Sequence, residues 1–68
     1  MLSARNQFRG KVKSVKTDNV MAEVVVEVNG LEVVAAITRG SVEHMNIKPG
    51  DEVTAVIKAT EVLIAKEV

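Results

Sequence analysis

The stretch that decides the fold is residues 20–38, VMAEVVVEVNGLEVVAAIT. In its first half every even-numbered residue is valine or alanine, and this period of two is typical of a β-strand with one buried face. Asn29 and Gly30 then form a dipeptide that strongly favours a two-residue hairpin turn, because both residues tolerate a positive φ. The stretch therefore predicts two antiparallel strands, Val20 to Val28 and Leu31 to Thr38, the second with apolar residues on both faces.

Further strands are predicted on both sides of this hairpin, at about Asn6 to Lys16, Glu52 to Lys58 and about Glu61 to Lys66. In the first of them Phe8, Gly10 and Val12 face inward, and Gly10 marks a bend or a close approach of two backbones. Alternation stops after Thr38, where a hydroxyl cap and the spacing of the apolar residues predict a helix of about two turns. The order β-β-β-α-β-β is that of the OB-fold, so we expect an all-β, five-stranded Greek-key barrel with one short helix between strands 3 and 4.

The chain has 68 residues, nine basic and nine acidic side chains, one histidine and no cysteine. This length predicts a single domain over residues 1–68, in which hydrophobic burial only narrowly offsets the loss of conformational entropy. Without cysteine there is no disulfide and no thiolate metal site, and His44 can supply only one imidazole ligand. We therefore expect no free metal cation and no cofactor, and we expect oligomerisation to stabilise the domain.

Several apolar side chains are predicted on the strand faces that point away from the core, namely Val25, Val34, Ala36, Val56 and Leu63. A monomer of this size would expose them as a larger apolar patch than soluble monomers usually carry. Strand twist with irregular burial is one explanation. We favour the other, a subunit interface.

Three classes of function are disfavoured by the composition. Single-stranded nucleic acids are bound by aromatic side chains in a basic groove, whereas this chain has zero net charge and one aromatic residue, Phe8. No apolar run approaches the roughly 20 residues that span a bilayer, and no signal peptide is evident, so we expect a cytoplasmic protein without membrane contact. No nucleophile with a base, paired carboxylates or open metal site can be assembled, so we expect no enzymatic activity.

The polar residues that remain are hydroxyls, an amide and cations at the ends of the predicted elements: Ser3, Arg5, Asn6, Thr38, Ser41, Lys58 and Thr60. Hydroxyls and backbone amides donate hydrogen bonds to an oxyanion, and Arg or Lys adds the opposite charge without a metal. Thr38 or Ser41 could instead simply cap the helix, and Lys58 could lie in solvent. From pattern alone both interpretations stay open.

Three segments carry a resemblance to a known family. Ser-Ala-Arg-Asn-Gln at 3–7 is followed by Gly-Lys-Val at 10–12; Ile37 and Thr38 precede Ser41 and Val42; and Thr-Ala-Val-Ile-Lys-Ala-Thr-Glu-Val occupies 54–62. In this order, and with Ala-Glu-Val at 22–24, they resemble the molbindin family, also called the Mop domain. The resemblance covers essentially the whole chain.

This resemblance implies a cytoplasmic protein that binds molybdate, with tungstate as a competitor, for storage or buffering of molybdenum. It implies a hexamer of OB-fold subunits whose oxyanion lies between subunits. The implied ligands come from three regions of the chain: Ser3, Arg5 and Asn6; Thr38 and Ser41; and Lys58, Ala59 and Thr60. Near Met21, relatives often have a small or hydroxyl-bearing residue, and this departure weakens the case for a second class of site there. The alternative function is a non-catalytic OB-fold adaptor whose second apolar face binds another protein.

Overall fold

The computed structural model describes residues 4–67 and contains one antiparallel sheet. Its strands are β1 (Asn6–Thr17), β2 (Met21–Val28), β3 (Leu31–Thr38) and β4 (Glu52–Ile57), and the helix α1 (Arg39–Met45) lies between β3 and β4. The strand order is β3-β2-β1-β4, so β3 and β4 form the two edges. A single 3₁₀ turn, Ala59–Glu61, follows β4. The all-β class and the helix between strands 3 and 4 are confirmed.

The β2–β3 hairpin has the predicted register. Val28 faces Leu31 across the turn, and the pairing continues without interruption to Met21 and Thr38. Asn29 and Gly30 have φ values of 49° and 82°, the left-handed conformations that a type I′ turn requires. The sequence of the turn therefore sets the pairing of the two strands.

Strand β1 is shared between two partners and changes direction near its middle. Residues 6–11 pair with β4, and most of the remainder pairs with β2, with a register shift between Val12 and Ser14. This bulge adds one residue, so Val12 and Val15 both lie opposite buried partners although they are three positions apart. A Cβ on Gly10 would lie 2.8 Å from Cγ2 of Val28 and closer still to the carbonyl oxygen of Glu27. The close approach predicted at Gly10 is confirmed.

The core is small and contains no bulky side chain. The buried residues are Val12, Ala22, Val24, Val26 and Val42, the last contributed by α1. Around them pack partly buried residues that include Ile37, Ile47 and Val53. Phe8, predicted to pack inside, shares the inward register but remains 41% exposed. One side of the barrel interior is therefore uncovered.

The fifth strand predicted at about Glu61 to Lys66 is not present in the described residues. Residues 59–61 form the 3₁₀ turn, and residues 62–67 are exposed and carry no strand pairing. A strand needs a neighbouring edge, and the tail does not reach one within its own chain. Instead, a cleft of about 580 Å³ lies between the inner residues of β2 and β3, such as Val26 and Ala35, and residues 51–56 at β4. This cleft therefore lies between β3 and β4, the two edge strands of the sheet.

We expect Gly10→Ala to lower the free energy of unfolding by about 1–3 kcal/mol, because the added methyl group meets backbone that cannot rotate away. Urea denaturation followed by far-UV circular dichroism measures the loss at a fixed protein concentration. Gly40→Ala is the matched control: apart from the adjoining residues and the backbone of its own helix, no atom lies within 4 Å of its added Cβ, and alanine favours the helix in which Gly40 lies. Equal stability of the two variants would contradict the packing at Gly10.

Candidate functional site

The first group of predicted ligands lies where β1 begins and β4 ends. Asn6 pairs with Ile57, which places Arg5 and Asn6 beside the segment that starts at Lys58. We call Arg5, Asn6, Lys58, Ala59 and Thr60 the strand-end group. Ser3 was predicted to belong with Arg5 and Asn6, and it lies outside the described residues. The strand-end group thus brings together two of the three predicted ligand regions, residues 5–6 and 58–60, which lie about fifty positions apart in the sequence.

The 3₁₀ turn gives the strand-end group backbone donors as well as cations. The amide of Glu61 donates to the carbonyl of Lys58 at 2.9 Å, and the amide of Val62 donates to the carbonyl of Ala59 at 3.3 Å. The amides of Ala59 and Thr60 precede these bonds and have no acceptor within the turn. Lys58, Ala59 and Thr60 are all exposed. Three consecutive exposed residues therefore carry two amides, one hydroxyl and one ammonium group.

The second group consists of Thr38 and Ser41, which we call the hydroxyl pair. Thr38 is the N-cap of α1: its Oγ1 accepts a hydrogen bond from the amide of Ser41 at 3.0 Å. The two hydroxyl oxygens are 2.7 Å apart, and either can be the donor. The capping role that the sequence left open is therefore real.

One O–H donor of the hydroxyl pair remains available after the helix has been capped. Each hydroxyl has one hydrogen, and the contact between the two oxygens uses one of these two hydrogens. Whichever hydroxyl donates, the other retains an O–H that can donate outward. Thr38 is exposed and Ser41 is half-buried, so this hydrogen can reach a ligand at the surface.

The strand-end group and the hydroxyl pair do not meet within one chain. Thr38 pairs with Met21, next to the hairpin that follows Thr17, whereas Asn6 lies at the opposite end of β1. The ends of a twelve-residue strand lie on the order of 30 Å apart at the usual rise per residue, and a single bulge shortens this distance only in part. A hydrogen-bonded oxyanion cannot bridge that distance. A single protomer therefore presents two separate sets of donors.

Most basic side chains near the N-terminus face acidic ones. Arg9 forms an exposed ion pair with Glu52 at 3.3 Å, and Lys13 reaches across β2 to Glu32. The hydrogen bond and the charge of Glu32 raise the pKa of Lys13. Lys11 also faces acidic residues on both neighbouring strands. The positive charge of this segment is thus largely balanced, which disfavours a nucleic-acid groove.

The hydroxyl pair lies next to the hairpin between β1 and β2, because Thr38 pairs with Met21. Asp18 stabilises the turn of this hairpin: the Oδ1 of Asp18 accepts hydrogen bonds from the amides of Val20 at 2.8 Å and of Met21 at 2.7 Å, in an Asx-type turn. These bonds, chiefly that from Met21, hold the pKa of Asp18 below its ordinary value, with a smaller contribution from Arg39. Asp18 was not among the predicted site residues, although Thr-Asp-Asn at 17–19 is a recognisable turn sequence.

Comparison with known proteins identifies the family. The TOBE domain family matches residues 2–64. The chain belongs to this family. Molybdenum-pterin-binding protein 3 of Clostridium pasteurianum is 50% identical over 64 residues, which cover 93% of this chain and 94% of that relative. The resemblance inferred from the sequence is therefore confirmed.

Two solved structures are similar over nearly the same range. A molybdate-binding protein from Sporomusa ovata superimposes with a TM-score of 0.94 at 44% identity, covering 97% of this chain and 98% of that chain. The cytoplasmic molybdate-binding protein ModG, with molybdate bound, gives a TM-score of 0.83 at 42% identity, covering 87% of this chain and 43% of that chain. The OB-like architecture of this TOBE domain agrees with both.

The part of the chain that the structure describes contains neither a cluster of metal ligands nor a membrane-spanning helix. Among residues 4–67, no three His, Asp or Glu side chains lie together so that they could hold a metal ion. Over the same residues, no helix has the length and apolarity needed to cross a membrane.

We expect Asp18→Asn to make the hairpin less stable at neutral pH, because a neutral amide oxygen accepts the two backbone hydrogen bonds more weakly than a carboxylate does. Since the pKa of Asp18 is lowered by folding, its contribution is fully present above about pH 4 and is lost as the pH falls through the lowered value. The urea midpoints of the two proteins should therefore differ at pH 7 and converge from about pH 4 downward. A difference that stays constant with pH would show that the carboxylate charge plays no part.

Proposed function

We propose that this TOBE domain binds molybdate without catalysis and serves to store or buffer molybdenum in the cytoplasm. The observation that carries the proposal is the donor chemistry of the two groups, which combine hydroxyls, backbone amides and the cations Arg5 and Lys58. A tetrahedral dianion has four oxygens that accept such bonds and needs no metal cation to neutralise it. The molybdate-binding relatives described above support the same ligand. Tungstate, a tetrahedral dianion of similar size, is expected to compete.

The oxyanion is proposed to lie between subunits. The strand-end group carries the cations and the amides, while the hydroxyl pair lies beyond the far end of β1. Contact between the strand-end group of one protomer and the hydroxyl pair of another would complete the set. A closed ring of such contacts requires several copies, and a hexamer is the assembly we propose.

The barrel is proposed to be completed by a second copy of the chain. Leu63 and Ile64 are 93% and 88% exposed, which is unusual for large aliphatic side chains of a small soluble domain. The apolar cleft between β3 and β4 has two free strand edges and lacks the side chains that would fill it. Residues 62–67 of a neighbouring protomer would add the fifth strand by pairing with these edges. Exchange of this segment between protomers would bury Leu63 and Ile64 and would also fill the cleft between β3 and β4.

Lys58→Ala tests the oxyanion site. A charge-assisted hydrogen bond to a partly buried anion contributes roughly 1.5–3 kcal/mol, so its loss should weaken molybdate binding by about one to two orders of magnitude. Titration calorimetry with molybdate, in buffer containing EDTA, measures the affinity and shows at the same time that no divalent cation is needed.

Lys48→Ala is the matched control for this substitution. Lys48 is exposed and takes no part in the three ion pairs found within residues 4–67, so its loss should change the affinity by about twofold or less at physiological salt. Equal molybdate affinities in the Lys58→Ala and Lys48→Ala variants would show that Lys58 does not bind the oxyanion. If the unaltered protein retained no molybdate at millimolar concentration, the adaptor function would be favoured instead.

The double substitution Leu63→Asp with Ile64→Asp tests the exchanged strand. Two carboxylates cannot enter the apolar cleft without a large desolvation penalty, so we expect the assembly to dissociate and molybdate binding to be lost with it. Light scattering gives the particle mass at micromolar concentration. Glu61→Gln with Glu67→Gln, which removes two charges from the flanks of the same segment, should leave the mass unchanged. An unaltered mass in the aspartate variant would show that the tail does not fill the cleft.

A further inference from the structure

Arg39 joins three parts of the structure around the hydroxyl pair. It is the first residue of α1, and its backbone amide donates to the carbonyl of Val20 at 2.8 Å. Its side chain reaches back to the hairpin, where Nη1 donates to the carbonyl of Asp18 at 3.3 Å. In the other direction Nε donates to Oε2 of Glu43, one turn along the helix, at 3.2 Å.

These contacts close a ring. The carboxylate of Asp18 accepts a hydrogen bond from the amide of Met21, and Met21 pairs with Thr38 across β2 and β3. Thr38 is followed by Arg39, whose guanidinium donates to the carbonyl of Asp18. Thr38 and Ser41 are therefore fixed from both sides, by the sheet and by the first turn of α1. Without the Arg39 side chain, the backbone bond to Val20 remains, but the guanidinium no longer connects the helix turn to the hairpin.

The same contacts contribute little to the stability of the fold. The side chains of Arg39 and Glu43 are 46% and 65% exposed, and an exposed ion pair four residues apart on a helix adds only a few tenths of a kcal/mol. An effect of Arg39 on binding can therefore be separated from an effect on folding.

We infer that Arg39 is a positioning residue for oxyanion binding, which holds the hydroxyl pair against the β1–β2 hairpin so that the free O–H points at the ligand. This inference rests on the proposed function, because it assigns a role within the same site. The guanidinium fork is required, since one ammonium group cannot donate to the Asp18 carbonyl and to Glu43 in the same geometry. Arg39 acts through Thr38 and Ser41 and not through its charge.

The experiment compares Arg39→Gln, Arg39→Lys and Ser41→Ala, alone and combined, by titration calorimetry with molybdate at low and high salt. We expect Arg39→Gln to weaken binding by about three- to tenfold, and Arg39→Lys to restore little of it. The loss should be the same at both salt concentrations. In the Ser41→Ala background, Arg39→Gln should weaken binding less than it does alone, because one of the two hydroxyls through which Arg39 acts is gone while Thr38 keeps its own O–H.

Glu43→Gln is the control, because its amide oxygen still accepts from Nε of Arg39 while its charge is gone. It should bind molybdate within about twofold of the unaltered protein. Equal particle mass and equal urea midpoints in all variants are required before affinities are compared.

Amide hydrogen exchange in the absence of molybdate keeps this inference separate from the proposed function. Arg39→Gln should speed exchange at the Ser41 amide, which donates to Thr38, and leave the amides of the buried Val24 and Val26 unchanged. Unchanged exchange at Ser41 would overturn the positioning role even if the protein binds no molybdate. Three results in the affinity measurements would also overturn the positioning role, in favour of a direct contact between Arg39 and the anion. These are full rescue of the affinity by Arg39→Lys, a loss of affinity that becomes smaller at high salt, and losses that add up fully when Arg39→Gln is combined with Ser41→Ala.

Discussion

The constraint on which the rest of this structure depends is that its core is built from four valines and one alanine. These small side chains cannot fill the interior of a barrel, and none of them is completely shielded from solvent. The strands consequently enclose an apolar cleft between β3 and β4, while Leu63 and Ile64 stand exposed beyond the 3₁₀ turn. A domain of this size without disulfides is stabilised by any further burial, and a neighbouring copy of the chain can supply it.

The same geometry separates the candidate ligands. Because β1 runs the length of the domain, the residues at its start, with Lys58, are remote from the hydroxyl pair beyond its end. The strand-end group has charge and backbone amides, whereas the hydroxyl pair has a single spare O–H. In the proposed function the dianion is bound by both groups together, so the proposed site and the proposed assembly depend on each other.

Much of this architecture could be predicted from the sequence, since it is encoded locally. The alternation in β2, the Asn29–Gly30 turn and the Thr38 cap each act over a few residues, and the structure has them where the pattern predicts. The fifth strand was predicted from the local sequence pattern, but residues 62–67 pair with no described strand, and a local pattern does not record whether a strand edge is within reach. The contact between Arg39 and Asp18 was missed for a related reason, since it joins positions 21 residues apart.

If the oxyanion lies between subunits, its binding and the assembly of the protein are linked by thermodynamics. A ligand that binds only where two protomers meet stabilises the assembled state by an amount that grows with its free concentration, and assembly raises the affinity for the ligand by the same factor. Lys58 begins the segment that leads through the 3₁₀ turn to Leu63 and Ile64, so an anion held there would also restrain the exchanged tail. A buffer built in this way would hold its cargo most tightly when fully assembled, because the contacts that close the barrels also complete the sites.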